Sequence, residues 1–152
     1  MKLDITQIHK GLYQGSRPTT GPILKQRGFS LLVLCAEEFQ PPAICFPGVD
    51  VVYAPNDDNF ARMPTREELR LALDAARKAA HTLLDGGKVL STCWMGHNRS
   101  GLVSGLTLCL WLGVDGPTAI GMIKKVRKGA LRNPGFLTAL GRLQGAPIAS
   151  AP

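Results

Sequence analysis

The sequence has few aromatic residues, no cysteines at metal-binding C-x-x-C spacing and no long apolar runs, and each shortage argues against a class of protein. Aromatic side chains make up 6% of the 152 residues, without the basic–aromatic alternation that stacks nucleic-acid bases. The four cysteines form no C-x-x-C pair and the three histidines are scattered, so no zinc site is expected. No charge-free apolar run approaches the roughly 20 residues of a membrane span. Nucleic-acid, metal and membrane-spanning roles are therefore disfavoured.

What is present fits one globular domain. The 152 residues are 45% hydrophobic, which is enough to bury a substantial core. The start of the chain lacks the apolar core and cleavage site of a signal peptide, so we expect a cytoplasmic protein with free thiols. The formal net charge of +7 favours anionic partners. We expect residues 1–144 to form the domain and 145–152 to be a flexible C-terminal tail.

Strand and helix patterns alternate along the chain. Val49 to Tyr53 is rich in β-branched residues, and Thr65 and Glu68 have the spacing of a capping box that opens a helix. The predicted strands are 11–14, 30–35, 49–53 and 88–92, and the predicted helices are 21–27, 65–84, 100–112, 116–126 and 134–143. This alternation predicts an α/β fold with a central, mainly parallel sheet of about four to five strands flanked by helices.

Residues 91–101, Ser-Thr-Cys-Trp-Met-Gly-His-Asn-Arg-Ser-Gly, connect a strand to a helix. Such a turn points backbone N–H groups into one concavity at the positive end of a helix dipole, which suits a tetrahedral oxyanion. The guanidinium of Arg99 adds a two-pronged donor, and the positive surroundings stabilise a thiolate at Cys93 that can attack bound phosphorus. The predicted phosphate-binding residues are Trp94, Met95, Gly96, His97, Asn98 and Arg99.

The spacing of Cys93 and Arg99 alone also fits a buried cysteine at a strand end and an unrelated surface arginine. Three neighbours favour the phosphate site. Gly96 permits the backbone angles of a tight anion nest, Ser100 places a hydroxyl beside the arginine, and Gly101 permits close packing at the start of the helix. His97 is the one further source of charge within the loop, at its rim.

Cys93 to Gly101 resembles the C-x5-R-S/T signature of the cysteine-dependent protein tyrosine and dual-specificity phosphatases. The resemblance extends to residues 5–16, 31–37 and 126–140 and so covers nearly the whole chain. It implies a dual-specificity phosphatase fold that hydrolyses phosphotyrosine, and also phosphoserine or phosphothreonine, in phosphorylated proteins without a metal or cofactor. In the family a phosphocysteine forms on the residue matching Cys93, and the hydroxyl matching Ser100 stabilises the departing thiolate.

Thr92 departs from the family, which usually has histidine immediately before the nucleophile. That histidine helps to order the loop, whereas threonine offers only a hydroxyl donor. The departure supports an alternative function, a pseudophosphatase that binds phosphopeptides without cleaving them. The net charge of +7 supports another, an RNA 5′-phosphatase built on the same loop. The absence of lysine from the loop favours protein over phosphoinositide substrates.

Cleavage of a phosphoester also needs a general acid, because the leaving alkoxide is otherwise a poor leaving group. The candidates lie in 54–61, Ala-Pro-Asn-Asp-Asp-Asn-Phe-Ala. The register of the family selects Asp58, with Asp57 as the rival, although both residues also suit ordinary Asx turns. Asn133 likewise matches a family position that braces the active-site loops, or is a simple turn opener before proline.

Cys35 is a redox candidate. Leu34 to Glu37 resembles a stretch of the phosphoinositide-phosphatase branch, in which the matching cysteine forms a reversible disulfide with the nucleophile. The resemblance implies a disulfide between Cys35 and Cys93 under peroxide, and the alternative is a plain buried thiol.

Overall fold

The computed structural model describes residues 2–145, so all of the expected tail beyond Gly145 lies outside the described residues. The strands are β1 Ile5–His9, β2 Leu12–Gly15, β3 Leu31–Ala36, β4 Asp50–Asn56 and β5 Val89–Thr92. The α-helices are α1 Ile23–Gln26, α2 Arg66–Leu84, α3 Arg99–Leu112, α4 Gly116–Val126 and α5 Pro134–Gly141, with a short 3-10 turn at Ala43–Cys45. Strands and helices alternate as predicted.

The five strands form one sheet in the order β1-β2-β5-β3-β4. Only the β1–β2 pair is antiparallel, and β5 lies in the middle between two parallel neighbours. The predicted mainly parallel sheet flanked by helices is confirmed. Because ligands bind beyond the carboxyl ends of parallel strands, the central position of β5 puts the residues after Thr92 at the favoured place for a site.

Two helices cover the sheet next to this edge. The capping box predicted at Thr65 and Glu68 is present and opens α2, whose alanine-rich face is buried against α3 and the sheet. Every residue of α3 from Arg99 to Cys109 is buried, as expected for a helix with little polar surface. The residues after β5 therefore lie at the N-terminus of α3, a helix that is buried in the core.

β4 differs from its prediction. The pattern indicated an end before Pro55, but the strand continues through Pro55 to Asn56. Since β4 is an edge strand, the missing N–H of proline costs no ladder hydrogen bond with a second neighbour. The extension pairs Asn56 with Ala36 and so brings the segments after β3 and β4 to the same edge as the residues after β5.

Residues 2–145 contain neither a membrane-spanning helix nor a cluster of metal ligands. No helix there combines the length and the apolar character needed to cross a bilayer. Within the same residues, no three histidine, cysteine or carboxylate side chains lie close enough together to hold a metal ion.

Candidate active site

Residues 93–99, the phosphate loop, connect β5 to α3 in a tight turn around Gly96. Gly96 has φ of +73°, and a Cβ there would lie 2.4 Å from the carbonyl carbon of Gly15 and 2.5 Å from Nη2 of Arg127. A side chain at this position is excluded by both backbone conformation and space. The glycine lets β2 and Arg127 approach the loop from behind.

Buried donors fix the outward carbonyls of the phosphate loop. Arg127 donates from Nε to the Gly96 carbonyl at 2.7 Å and from Nη2 to the Met95 carbonyl at 3.1 Å. Gln14 donates to the Gly96 carbonyl at 3.0 Å. Because N–H and C=O point in opposite directions across a trans peptide, outward carbonyls turn the following N–H groups inward. Among residues 2–145 the N–H groups of Trp94 to Asn98 find no acceptor, so they remain available to an anion.

Arg127 is itself held by the N-terminal strand. Its Nη2 lies 2.9 Å from a carboxylate oxygen of Asp4, and Nη1 donates to the hydroxyl of Thr6 at 2.9 Å. The hydrogen bond from Arg127 holds the pKa of Asp4 below its usual range. Sequence reasoning missed Arg127, Asp4 and Gln14 as site residues, because nothing in their local patterns points to a loop 30 to 90 positions away.

Cys93 and Ser100 meet at the floor of the phosphate loop. The sulfur of Cys93 lies 3.3 Å from the hydroxyl oxygen of Ser100, and both residues are buried. Ser91 anchors this corner by donating to the Ser100 carbonyl at 3.0 Å. The hydroxyl expected to serve the nucleophile therefore lies in contact with it.

The guanidinium of Arg99 uses only part of its donor set. Its Nη1 and Nη2 each donate to one oxygen of the Glu38 carboxylate at 2.6 Å, and Nη1 also donates to the Asn56 carbonyl at 3.1 Å. Nε is buried and has no partner within residues 2–145. Since Nε–H and the outer N–H of Nη2 lie side by side in a guanidinium, they form the two-pronged donor that a phosphate accepts.

Glu38 was not recognised as a site residue from the sequence. Although burial disfavours the charged guanidinium, the hydrogen bond to Glu38 and the nearby sulfur of Cys93 raise the pKa of Arg99. The same hydrogen bond lowers the pKa of Glu38. Both groups are therefore charged at neutral pH, and Glu38 orients the arginine while leaving its free donor edge unoccupied.

The two acid candidates lie in residues 57–64, the acid loop, and point to different partners. Asp58 accepts from the amide of Asn98 at 2.9 Å and from the amide of Asn133 at 2.8 Å. Asp57 lies 3.6 Å from Arg62, and its side chain is 46% exposed. The structure thus brings Asp58, and not Asp57, into contact with the phosphate loop.

Asn98 has a different side-chain environment from the one expected. Its oxygen accepts from the backbone N–H groups of Arg132 at 2.8 Å and Asn133 at 3.0 Å, while its amide holds Asp58. Asn133 also caps α5 with its own side-chain oxygen. The side chain of Asn98 therefore connects the acid loop to the segment before α5, and only its backbone N–H is left for phosphate.

Glu68 connects the acid loop to α2. Its carboxylate accepts from the backbone N–H groups of Thr65 at 2.8 Å and Asp57 at 3.0 Å, and from Arg62 at 2.8 Å. Although burial favours the protonated form, these hydrogen bonds lower the pKa of Glu68 to about 2. The capping residue predicted from the sequence is thus also a support of the acid loop.

The rim of the loop is apolar and exposed. Trp94 and Met95 are 43% and 60% exposed, consistent with side chains that flank the site. The imidazole of His97 is half-buried against Gly129. Burial and the nearby cation of Arg127 lower the pKa of His97, so the ring is neutral at pH 7. His97 therefore does not supply the extra charge considered from the sequence.

Thr92 and Cys35 lie below the loop in the sheet. The hydroxyl of Thr92 donates to the Val33 carbonyl at 2.8 Å, so it serves the sheet and not the loop. The register pairs Leu34 with Thr92, so Cys35 in β3 and Cys93, the first residue after β5, each directly follow a paired residue. Both are free thiols, and burial, reinforced by Cys93, raises the pKa of Cys35 far above its usual value.

The fold is similar to those of solved phosphatase structures. Human DUSP28 is 25% identical with a TM-score of 0.76, over 92% of this chain and 92% of that chain. The chain has the dual-specificity phosphatase fold. Tk-PTP in its active form is 22% identical with a TM-score of 0.74, over 93% of this chain and 98% of that one. PTPMT1 in complex with PI(5)P is 18% identical with a TM-score of 0.76, over 91% and 92%.

The predicted resemblance to the phosphatase family is therefore confirmed at the level of structure. No protein-family model matches the sequence, and no curated protein matches it. In this fold the residues of the C-x5-R-S pattern follow the central strand β5, and of the two acid candidates Asp58 contacts them through Asn98.

Proposed function

We propose that this protein is a cysteine-dependent phosphatase that hydrolyses phosphotyrosine, and also phosphoserine or phosphothreonine, in phosphorylated proteins. The observation that carries the proposal is the unpartnered, buried Nε of Arg99, which shares one loop with Cys93 and with a series of free backbone N–H donors. A buried donor without a partner is costly, and a bound phosphate would satisfy it.

In the first step, the thiolate of Cys93 attacks phosphorus and the bond from phosphorus to the leaving oxygen breaks. The loop N–H groups and the free edge of Arg99 hold the three equatorial oxygens, where negative charge develops. Protonated Asp58 donates its proton to the leaving oxygen. A phosphocysteine remains on the enzyme.

In the second step, ionised Asp58 accepts a proton from a water molecule while the water oxygen attacks phosphorus. The bond from phosphorus to sulfur breaks, and the hydroxyl of Ser100, 3.3 Å from the sulfur, stabilises the departing thiolate of Cys93. The side-chain amides of Asn98 and Asn133 donate to Asp58 at 2.9 and 2.8 Å and hold its carboxyl group at the phosphate loop.

The substrate class follows from the loop and its rim. The solved PTPMT1 complex contains PI(5)P, but the phosphate loop here carries no lysine and His97 is uncharged at pH 7. Exposed Trp94 and Met95 offer apolar contacts to the side chains of a polypeptide. Four free cysteines support a reducing, cytoplasmic site of action.

The test compares wild type, Cys93→Ser and the control Cys45→Ser on p-nitrophenyl phosphate and on phosphotyrosine and phosphothreonine peptides. We expect Cys93→Ser to lower kcat at least ~1,000-fold and to retain phosphate binding, because the cradle stays intact. Cys45 is half-buried outside the loop, so its substitution should leave kcat unchanged. A wild type that binds phosphopeptide without turnover would establish the pseudophosphatase instead. Faster release of phosphate from triphosphate-ended RNA would establish an RNA 5′-phosphatase.

We also propose that Cys35 forms a reversible disulfide with Cys93 under peroxide and so protects Cys93 from irreversible oxidation. Peroxide oxidises the thiolate of Cys93 to a sulfenic acid, and the sulfur of Cys35 then attacks the Cys93 sulfur and expels water. The two cysteines directly follow the paired residues Leu34 and Thr92, which supports this disulfide. Peroxide-treated protein should lose two hydrogens in intact mass, and a reductant should restore activity. A sulfinic acid on Cys93 without a disulfide would contradict the proposal, as would unchanged oxidation of Cys35→Ser.

A further inference from the structure

The positive charge of the chain is concentrated in its C-terminal part. Residues 1–115 contain twelve lysines and arginines and eleven carboxylates, whereas residues 116–152 contain six lysines and arginines and no carboxylate. Five of those six cations lie in the nine residues from Lys124 to Arg132, the basic segment. Most of the net charge of +7 therefore comes from one short stretch of the chain.

The basic segment consists of the end of α4 and the turn after it, and it folds back on itself. Nζ of Lys124 donates to the Leu131 carbonyl at 3.2 Å. The side chains that face the protein interior are buried, namely Arg127, Ala130 and Leu131. The exposed ones are Lys124, Lys125, Val126, Lys128 and Arg132. These exposed side chains therefore share the outer side of one compact turn.

The exposed cations of the basic segment are not neutralised by acidic neighbours. Within residues 2–145, none of Lys125, Lys128 and Arg132 has a carboxylate at ion-pair distance. By contrast, Arg70 and Arg77 on the exposed face of α2 pair with carboxylates of the same helix. An anionic partner can therefore approach the basic segment without displacing any acidic side chain.

The basic segment is attached to the phosphate loop. The N–H of Leu131 donates to the His97 carbonyl at 3.2 Å, and the N–H of Arg132 donates to the side-chain oxygen of Asn98 at 2.8 Å. Because these hydrogen bonds fix the two segments together, a partner bound to the basic segment lies beside the candidate active site.

The composition of this surface favours an anionic lipid bilayer over a nucleic acid. Three of its four exposed cations are lysines, whose flexible, hydrated ammonium groups are attracted to a charged surface without fixed geometry. The neighbouring Val126 and Met95 are aliphatic and 44% and 60% exposed, and such side chains enter the headgroup region of a bilayer. Nucleic-acid bases stack on aromatic rings instead. The ring of Trp94 is already covered by the guanidinium of Arg17, 4.6 Å from its centroid.

We propose that the basic segment docks this protein on an anionic lipid bilayer, with its lysines at the headgroups and Val126 among them. The docking goes beyond the proposed function and does not require turnover, because the basic segment contains none of the reacting groups. Since the segment is hydrogen-bonded to the phosphate loop, docking holds the candidate site at the bilayer, close to phosphorylated segments of membrane proteins.

The experiment measures co-sedimentation with vesicles of equimolar phosphatidylserine and phosphatidylcholine, neither of which carries a phosphomonoester. Each lysine near such a surface contributes about 5-fold, so Lys125→Gln/Lys128→Gln should lower the partition coefficient about 25-fold. Lys10→Gln/Lys78→Gln removes the same charge from exposed positions in the β1–β2 turn and in α2, and should lower it less than about 2-fold. Val126→Ser keeps the charge and should lower it about 5-fold, through lost apolar contact.

Salt provides a second measurement. Raising the salt concentration from ~0.1 M to ~1 M shortens the Debye length from ~10 Å to ~3 Å and should release most of the bound wild type. All substituted positions are exposed, so the midpoints of thermal unfolding should equal that of wild type and loss of binding cannot come from unfolding.

Three results would overturn the docking. Equal losses in the two double variants would show that net charge alone attracts the protein. Equal binding to vesicles of phosphatidylcholine alone, or no binding to the anionic vesicles, would show that the surface does not recognise anionic lipid. Binding to RNA or to an acidic polypeptide that depends on Lys125 and Lys128, without binding to vesicles, would assign the surface to that polymer instead.

Discussion

The phosphate loop and the acid loop form facing sides of one site, and they are held in different ways. The carbonyls of the phosphate loop are fixed by Arg127 and Gln14, side chains that are 6% and 0% exposed. The acid loop depends on the polar contacts of Asp58 and Glu68, and it leaves Phe60 56% exposed.

The difference follows from what each loop does in the proposed mechanism. A cradle for phosphate stabilises developing charge best when its donors are already oriented before the substrate arrives. A loop that delivers a proton and then admits water gains from fewer buried contacts, since it must adjust between the two steps. Substitution of the side chains that hold the phosphate loop should therefore mainly lower the free energy of unfolding. Substitutions in the acid loop should mainly lower kcat.

The largest expected effect is that of Asp58→Ala on phosphotyrosine peptide. Removing a general acid lowers kcat by ~10²–10⁴-fold, and the loss should be much smaller for aryl phosphates with good leaving groups. Asp57→Ala is the matched control and should change kcat less than about 2-fold, because Asp57 faces Arg62 and solvent. If Asp58→Ala kept the wild-type kcat and Asp57→Ala lost it, the general acid would be Asp57.

Arg127→Met should give the next largest effect, on stability. The substitution leaves the Met95 carbonyl without its donor and the Gly96 carbonyl with Gln14 alone, so we expect a loss of ~3 kcal/mol in the free energy of unfolding measured in urea. Asp4→Asn weakens only the ion pair between Arg127 and Asp4, whose side chain is 62% exposed. It should lower the free energy of unfolding by less than ~1 kcal/mol.

If Arg127→Met does not fold, Arg127→Lys keeps the charge and serves as the second variant. It should remain folded, with intermediate stability and reduced phosphate affinity. Full stability and full kcat/KM in both variants would show that the phosphate loop does not depend on this support.

Glu68→Gln tests the attachment of the acid loop. We expect the free energy of unfolding to fall by ~1–2 kcal/mol at pH 7, because hydrogen bonds to a charged acceptor are replaced by weaker ones. Since the folded pKa of about 2 lies below the ordinary 4.5, the stabilisation is complete above pH 4.5 and disappears as pH falls toward 2. The difference between wild type and Glu68→Gln should shrink over that range. Glu67→Gln, at an exposed position, should differ from wild type in stability by almost nothing at any pH. If the difference between wild type and Glu68→Gln did not change with pH, the role given to Glu68 would be refuted.

The sequence predicted the structural features that depend on residues close together along the chain. The strand–loop–helix turn around Cys93, the capping box at Thr65 and the alternation of strands and helices all follow from local spacing and from chemistry within a few positions. The position of β5 at the centre of the sheet agrees with the resemblance of the loop to a known signature.

Contacts between distant segments could not be predicted in this way. Arg127 supports the phosphate loop from behind, Glu38 orients Arg99, and the side chain of Asn98 contacts the acid loop. Each contact depends on which elements the fold makes neighbours, and a single sequence carries no pattern for it. The continuation of β4 through Pro55 also depends on topology, because only an edge strand tolerates proline.

Thr92→Val should have the smallest effect and decides whether the departure from the family's histidine matters for rate. The hydroxyl donates to the Val33 carbonyl inside the sheet, so its removal should cost ~1 kcal/mol of unfolding free energy and leave kcat/KM within about 2-fold. Thr107→Val is the matched control, since it removes a buried hydroxyl that donates to the Val103 carbonyl within α3. The two variants should be alike in both measurements. A 10-fold loss of kcat/KM in Thr92→Val alone would show that this hydroxyl tunes Cys93 through the sheet.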